Sequence, residues 1–137
     1  MKFLIDTDVL IDSLKDQNPP ISLFKLTSTA ELSISIITWI ETTYGIRKRS
    51  PMAQKRMDEL NTLLKKLNME VCNIDKDIAD KFIGLKILQE KKGYILEDFD
   101  FFVASTALAY NLTLVTRNIK HFSRIKGLKL YKSPQTI

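Results

Sequence analysis

At 137 residues, 45% of them apolar, the chain has the material for one domain with its own core. Its 21 Lys and Arg against 16 Asp and Glu give a net charge of +5, a balance that suits a polyanionic partner or simply a basic soluble protein. The single cysteine excludes an internal disulfide and no 18 consecutive residues are apolar, so neither a disulfide-stapled scaffold nor a membrane span is expected, and the cytoplasm is the expected compartment.

Phe3-Leu4-Ile5 is a short bounded apolar run, read as a buried strand that stops on Asp6. Asp8 followed by Val9, Leu10 and Ile11 reads as a capped helix start, which leaves Asp6 at the strand's carboxyl end. Pro19-Pro20 marks a break, and Ile21 to Leu26 reads as a short helix. Leu32 to Ile37 alternates and is β-branched, a strand signal, after which Thr38 can cap a helix through Trp39, Ile40, Glu41 and Tyr44 towards Arg49.

A second break falls at Ser50-Pro51. Met57, Leu60, Leu63, Leu64 and Leu67 then recur at helical spacing, predicting an amphipathic helix over Met52 to Leu67. Met69 to Ile74 is a third strand, with Cys72 expected as core packing. Asp75 or Asp77 can cap a helix through Ile78, Phe82, Leu85 and Leu88 that stops at Lys91-Lys92-Gly93. Asp98 or Asp100 opens the helix Phe101 to Tyr110, which Asn111 ends.

Leu112 to Thr116 is a strand, Arg117-Asn118 leads into a short helical turn to Phe122, and Leu128 to Tyr131 forms a last edge strand. Strands alternating with helices argue for an α/β fold, one domain over 1–137, with a short central parallel sheet of four or five strands flanked by helices on both faces. In such a sheet ligands gather at the carboxyl edge.

Four polar residues converge on that edge. Asp6 follows the first strand, Glu41 lies early in the helix after the second, and Asn118 follows the Leu112 to Thr116 strand. Asp100 shares a helix face with Val103, Ala104 and Ala107, so its carboxylate points inward and needs hydrogen bonds, a cation partner or a metal. Other acids have plainer readings: Asp8 as a helix cap, Asp12 as a solvated helix residue, Asp98 as a cap or first-turn residue favoured by the helix dipole.

Clustered carboxylates without His or Cys suit a hard cation, Mg²⁺ or Mn²⁺. One histidine, His121, and one cysteine cannot make a conventional zinc site, and neither a Walker-type nor a dinucleotide-binding glycine motif occurs. A carboxylate-held Mg²⁺ beside basic residues points to phosphoryl chemistry. Candidate phosphate contacts are Arg47-Lys48-Arg49, Lys55-Arg56, Lys91-Lys92 and, starting beside Asn118, Arg117, Lys120, His121, Arg124 and Lys126.

Four pieces in order carry a family likeness: Leu4 to Ile11, Ser33-Ile34-Ser35 leading to Glu41, Asp100 to Ala107, and Leu114 to Asn118 with Phe122. On these the chain resembles the PIN-domain ribonucleases, specifically the VapC-type toxins of toxin–antitoxin modules. The resemblance implies a single PIN-like domain and Mg²⁺-dependent cleavage of RNA phosphodiesters, with Mn²⁺ a substitute. Asp6, Glu41 and Asp100 match the family's catalytic acids, Asp6 and Asp100 as direct metal ligands and Glu41 holding a second ion or orienting water. Thr116 matches a hydroxyl beside the site and Asn118 the fourth acidic slot.

Two residues depart from the pattern: Asn118 stands where many relatives carry aspartate, and Asp8 where asparagine is usual, so Asp8 and Asp98 stand as accessory acids. Arg117, Lys120 and Arg124 are the expected RNA contacts, and the expected partners are an antitoxin protein and a second copy of the chain. The alternatives are a PIN-like module that binds RNA or protein without cutting, or an RNA-processing nuclease that is not a toxin.

Overall fold

The computed structural model describes residues 2–15, 30–49 and 51–132. Five strands, β1 (Lys2–Ile5), β2 (Glu31–Ser35), β3 (Glu70–Cys72), β4 (Thr113–Val115) and β5 (Lys129–Leu130), form one sheet in the order β3-β2-β1-β4-β5. Every pairing is parallel. Among the described residues the helices are α1 (Thr7–Lys15), α2 (Ile36–Arg49), α3 (Ala53–Lys66), α4 (Lys76–Lys91), α5 (Asp98–Ala109) and the short α6 (Ile119–Phe122).

The apolar run of β1 is continuous because this strand is central and covered on both sides, as parallel strands are. Its period of two divides the core. Phe3 and Ile5 join Val9, Leu10, Leu32, Ile34, Leu60 and Val115 on one face of the sheet, while Leu4 joins Ile37, Phe101, Val103, Ala104, Leu114 and Phe122 on the other. Burying each large side chain of this kind stabilises the fold by roughly 1.5–3 kcal/mol before entropy is charged. Between α4 and α5, Phe82 stacks on Phe102 with centroids 4.0 Å apart and meets Phe101 edge-on.

Several boundaries differ from the sequence reading. The second strand ends at Ser35, not Ile37, and α2 starts two residues before Thr38. Ser35 is the reason: its Oγ accepts the Ile37 N–H at 3.0 Å and turns the chain into the helix, so Thr38 lies inside it rather than capping it. β3 covers three residues of the six expected, and Cys72 on it is half-buried against a cavity of about 600 Å³ instead of packed in the core.

α1 starts at Thr7, so Asp8 lies within the first turn and is not the cap. α5 follows Glu97, whose side chain makes no capping bond, so neither Asp98 nor Asp100 caps it. Asp75, one of two candidates, does cap α4, its Oδ1 accepting from Ile78 N at 2.9 Å. The stop at Gly93 is observed with φ 77°, a conformation glycine adopts freely. The expected break at Pro19-Pro20 and helix Ile21 to Leu26 lie outside the described residues.

Candidate active site

Parallel strands deliver their carboxyl ends to one edge, and the register makes that delivery exact: Ile5 pairs with Val115, and Leu4 with both Ser33 and Leu114. Asp6 follows at once, its N–H donating to Val115 O at 2.9 Å and its carbonyl accepting Leu10 N at 3.0 Å as α1 begins. The residue is 7% exposed, and its carboxylate takes two hydrogen bonds. Thr7 N donates to Oδ1 at 2.9 Å and Thr116 Oγ1, arriving from the end of β4, donates to Oδ2 at 2.7 Å.

Two donors do not offset the loss of water. Burial first, then the charge of Asp8, raise the Asp6 pKa from 3.8 to about 7, with the Thr116 and Thr7 hydrogen bonds pulling it down and the charge of Asp100 adding to the rise. Asp8 is raised too, mainly by burial, against the N–H groups of Arg117 and Val9 and the Arg117 charge. Burial likewise raises Asp100, and the charges of Glu41, Glu97 and Asp8 push further, opposed by His121. Asp8 and Asp100 therefore act on Asp6, and Glu41, Asp8 and His121 act on Asp100.

Hydroxyls knit these acids together. Thr7 Oγ1 donates to Glu41 Oε1 at 2.6 Å and lies 3.2 Å from Thr38 Oγ1. Thr116 Oγ1 accepts Asn118 N at 3.0 Å, and the Asn118 side-chain oxygen meets His121 Nδ1. Phe122, fully buried, anchors the turn that carries both residues. Sequence reasoning named Thr116, gave Thr38 only as a helix cap and missed Thr7; the signal available was Thr7 directly after Asp6 and Thr38 one turn before Glu41.

Other expected site residues make different contacts. Asp98 pairs with Lys86 Nζ at 2.8 Å and is largely exposed. Asp12, expected in solvent, pairs with the Arg117 guanidinium at 2.6 Å, while Arg117 N donates to Asp8 Oδ2 at 3.2 Å. Lys120 and Arg124 are exposed, Arg124 lying over the Tyr94 ring.

Among the described residues no three His, Cys, Asp or Glu side chains close into a ready-made metal cage. The donor set nonetheless fits a hard cation: it is all oxygen, it is crowded with like charge, and Asp8 Oδ1 is buried with no hydrogen-bond partner.

A family model for the PIN domain matches residues 3–128. The chain belongs to the PIN-domain family. Among known PIN proteins it is similar to Ribonuclease VapC1 of Methanocaldococcus jannaschii, 34% identical over 95% of this chain and 87% of that one. Ribonuclease VapC2 of Rickettsia felis is 31% identical over 95% of this chain and 96% of its own. This PIN domain superposes with a TM-score of 0.86, at 28% identity and over 96% and 98% of the two chains, on the crystal structure of Rickettsia felis VapBC2 bound to a DNA fragment from its promoter. PIN-domain nucleases in general depend on a divalent metal ion, in keeping with the carboxylates gathered around Asp6. The expected fold is therefore the observed one, a parallel five-stranded PIN sheet between helices.

Proposed function

We propose that the chain is an endoribonuclease that hydrolyses RNA phosphodiester bonds with Mg²⁺, Mn²⁺ serving as a substitute, and that it acts in the cytoplasm as the toxin of a toxin–antitoxin pair. The observation that carries this reading is the gathering of acids at the carboxyl edge of a PIN sheet, where burial, then the charges of Asp8 and Asp100, raise Asp6 to about 7 and Glu41 acts on Asp100. A pure binder of RNA has no use for negative charge where phosphate must sit.

In this assignment Asp6 and Asp100 hold the ion, Glu41 holds a second ion or orients the attacking water, and Asp8 supplies its unpartnered oxygen as an accessory donor. The bound cation supplies Lewis acidity at the scissile phosphate and neutralises developing charge. Thr116 keeps one Asp6 oxygen oriented, and Asn118 is fixed to Thr116 through its backbone. Lys120 and Arg124 contact the RNA phosphates, with Arg117 a lesser contact because its guanidinium is paired to Asp12. Asp98, spent on Lys86, is left out of the ligand set.

An antitoxin and a second copy of the chain are the proposed protein partners. Similarity to the VapBC2 complex supports the first. Ile83 and Ile87 on α4, Ile95 and Phe99 are 42–86% exposed and supply apolar surface of the kind a partner covers. Among the described residues no helix is long and apolar enough to cross a membrane.

The test is cleavage of a structured RNA by the purified chain, with Mg²⁺ and with EDTA, beside Asp6→Asn and Asp100→Asn. Metal-dependent products that fall at least ~100-fold in both variants are expected. Cleavage that survives EDTA and both substitutions would overturn the assignment, and RNA bound with no products would favour a module that grips without cutting.

A further inference from the structure

Thr7 carries two hydrogen bonds that no catalytic assignment uses. Its backbone N–H donates to Asp6 Oδ1 at 2.9 Å, and its hydroxyl donates to Glu41 Oε1 at 2.6 Å. One residue thus grips two acids that arrive on different elements, Asp6 at the end of β1 and Glu41 in the second turn of α2. The hydroxyl has another neighbour, Thr38 Oγ1 at 3.2 Å, one turn before Glu41 on the same helix. At 2.6 Å the bond to Glu41 is in the range of a charge-assisted O–H to carboxylate bond.

We propose that Thr7 is a positioning residue whose hydroxyl holds the Glu41 carboxylate towards Asp6 and so sets the spacing of the acidic recess. A glutamate side chain on a helix has three rotatable bonds and, facing other carboxylates, is driven outward by their charge. Asp100 and Glu41 repel one another, as the direction of the Asp100 shift records. A hydroxyl donor on the adjoining element opposes that drift. Asp6 receives the same service from Thr116, so each acid has its own hydroxyl, and Thr7 adds a rigid backbone link between the two.

This inference rests on the reading of the recess as a divalent-metal site, yet part of its test needs no metal. Thr7→Val removes the hydroxyl at nearly constant volume, and Thr7→Ser restores it. In EDTA, Thr7→Val is expected to lower the urea midpoint clearly more in the wild-type background than in a Glu41→Ala background, where only the Thr38 contact is left to lose; equal shifts in both would overturn the proposal. With Mn²⁺ added, calorimetry is expected to show about tenfold weaker binding for Thr7→Val and binding within twofold of wild type for Thr7→Ser.

Thr7→Ser falling as far as Thr7→Val would assign the effect to the lost methyl and overturn the proposal. A wild-type chain that binds no Mn²⁺ and cuts no RNA would instead overturn the functional reading, while the EDTA cycle still decides whether Thr7 holds Glu41. In cleavage assays the expected loss lies in kcat with KM unchanged, since Thr7 touches the acids and not the RNA.

Discussion

Asp6 keeps its proton well beyond the pH at which an ordinary aspartate releases it, because burial and the charge of Asp8 outweigh two hydrogen bonds. In the unfolded chain it ionises near 3.8, in the fold near 7. Between those values the folded protein holds a proton that the unfolded one has released, so stability is full below pH ~4 and declines by about 1.4 kcal/mol per pH unit until pH ~7. Asp8 and Asp100, raised in the same direction, steepen the decline. Denaturation in EDTA should therefore give a higher midpoint at pH 5 than at pH 8, and Asp6→Asn should flatten the difference; a flat wild-type profile would contradict the burial argument. Saturating Mn²⁺ should stabilise the chain more at pH 8 than at pH 5, since only ionised carboxylates bind it. At this scale Asp6 and Asp100 were legible because each is a carboxylate abutting apolar neighbours. The Thr7 to Glu41 bond was not, because it joins residues 34 apart and depends on how α1 and α2 meet above the sheet.

Elements set the site by where they stop. β2 gives way to α2 at Ser35 because a serine oxygen captures the Ile37 N–H, and this early start puts Glu41 in the second turn, within reach of Thr7. Periodicity favoured extending the strand through Ile36 and Ile37, since two isoleucines suit a strand as well as a buried helix face. Long amphipathic α3 was legible almost to the residue, whereas β3 shrank to Glu70–Cys72 at the edge of the sheet, where pairing exists on one side only. Capping and core positions remote from the recess should affect stability alone. Asp75→Ala, which removes the bond to Ile78 N, should cost about 1 kcal/mol in urea denaturation with Mn²⁺ affinity unchanged. Leu60→Ala, emptying a fully buried position of α3, should cost roughly 2–5 kcal/mol, again with the same affinity at temperatures where the variant is folded.

For the whole molecule, charge and topology act together. A net charge of +5 coexists with an acidic recess, so attraction for RNA must come from groups around the recess rather than within it. Binding of single-stranded RNA should weaken with salt at a slope of roughly −0.7 per neutralised phosphate, and replacing Lys120 and Arg124 together by Gln should lower that slope by about 1.4; an unchanged slope would remove them from the interface. The fold class was legible from the alternation of strands and helices, but the strand order was not, because nothing local says that the first strand becomes the middle one. That central position has a consequence for the protein's manufacture. β1 is made before β4, yet β4 is one of its two neighbours, and the hydroxyl that steadies Asp6 belongs to Thr116, 110 residues later. Until that strand joins the sheet, β1 lacks one of its two neighbours and Asp6 its side-chain hydroxyl partner, so the edge that carries the acids is complete only after the fourth strand has been made.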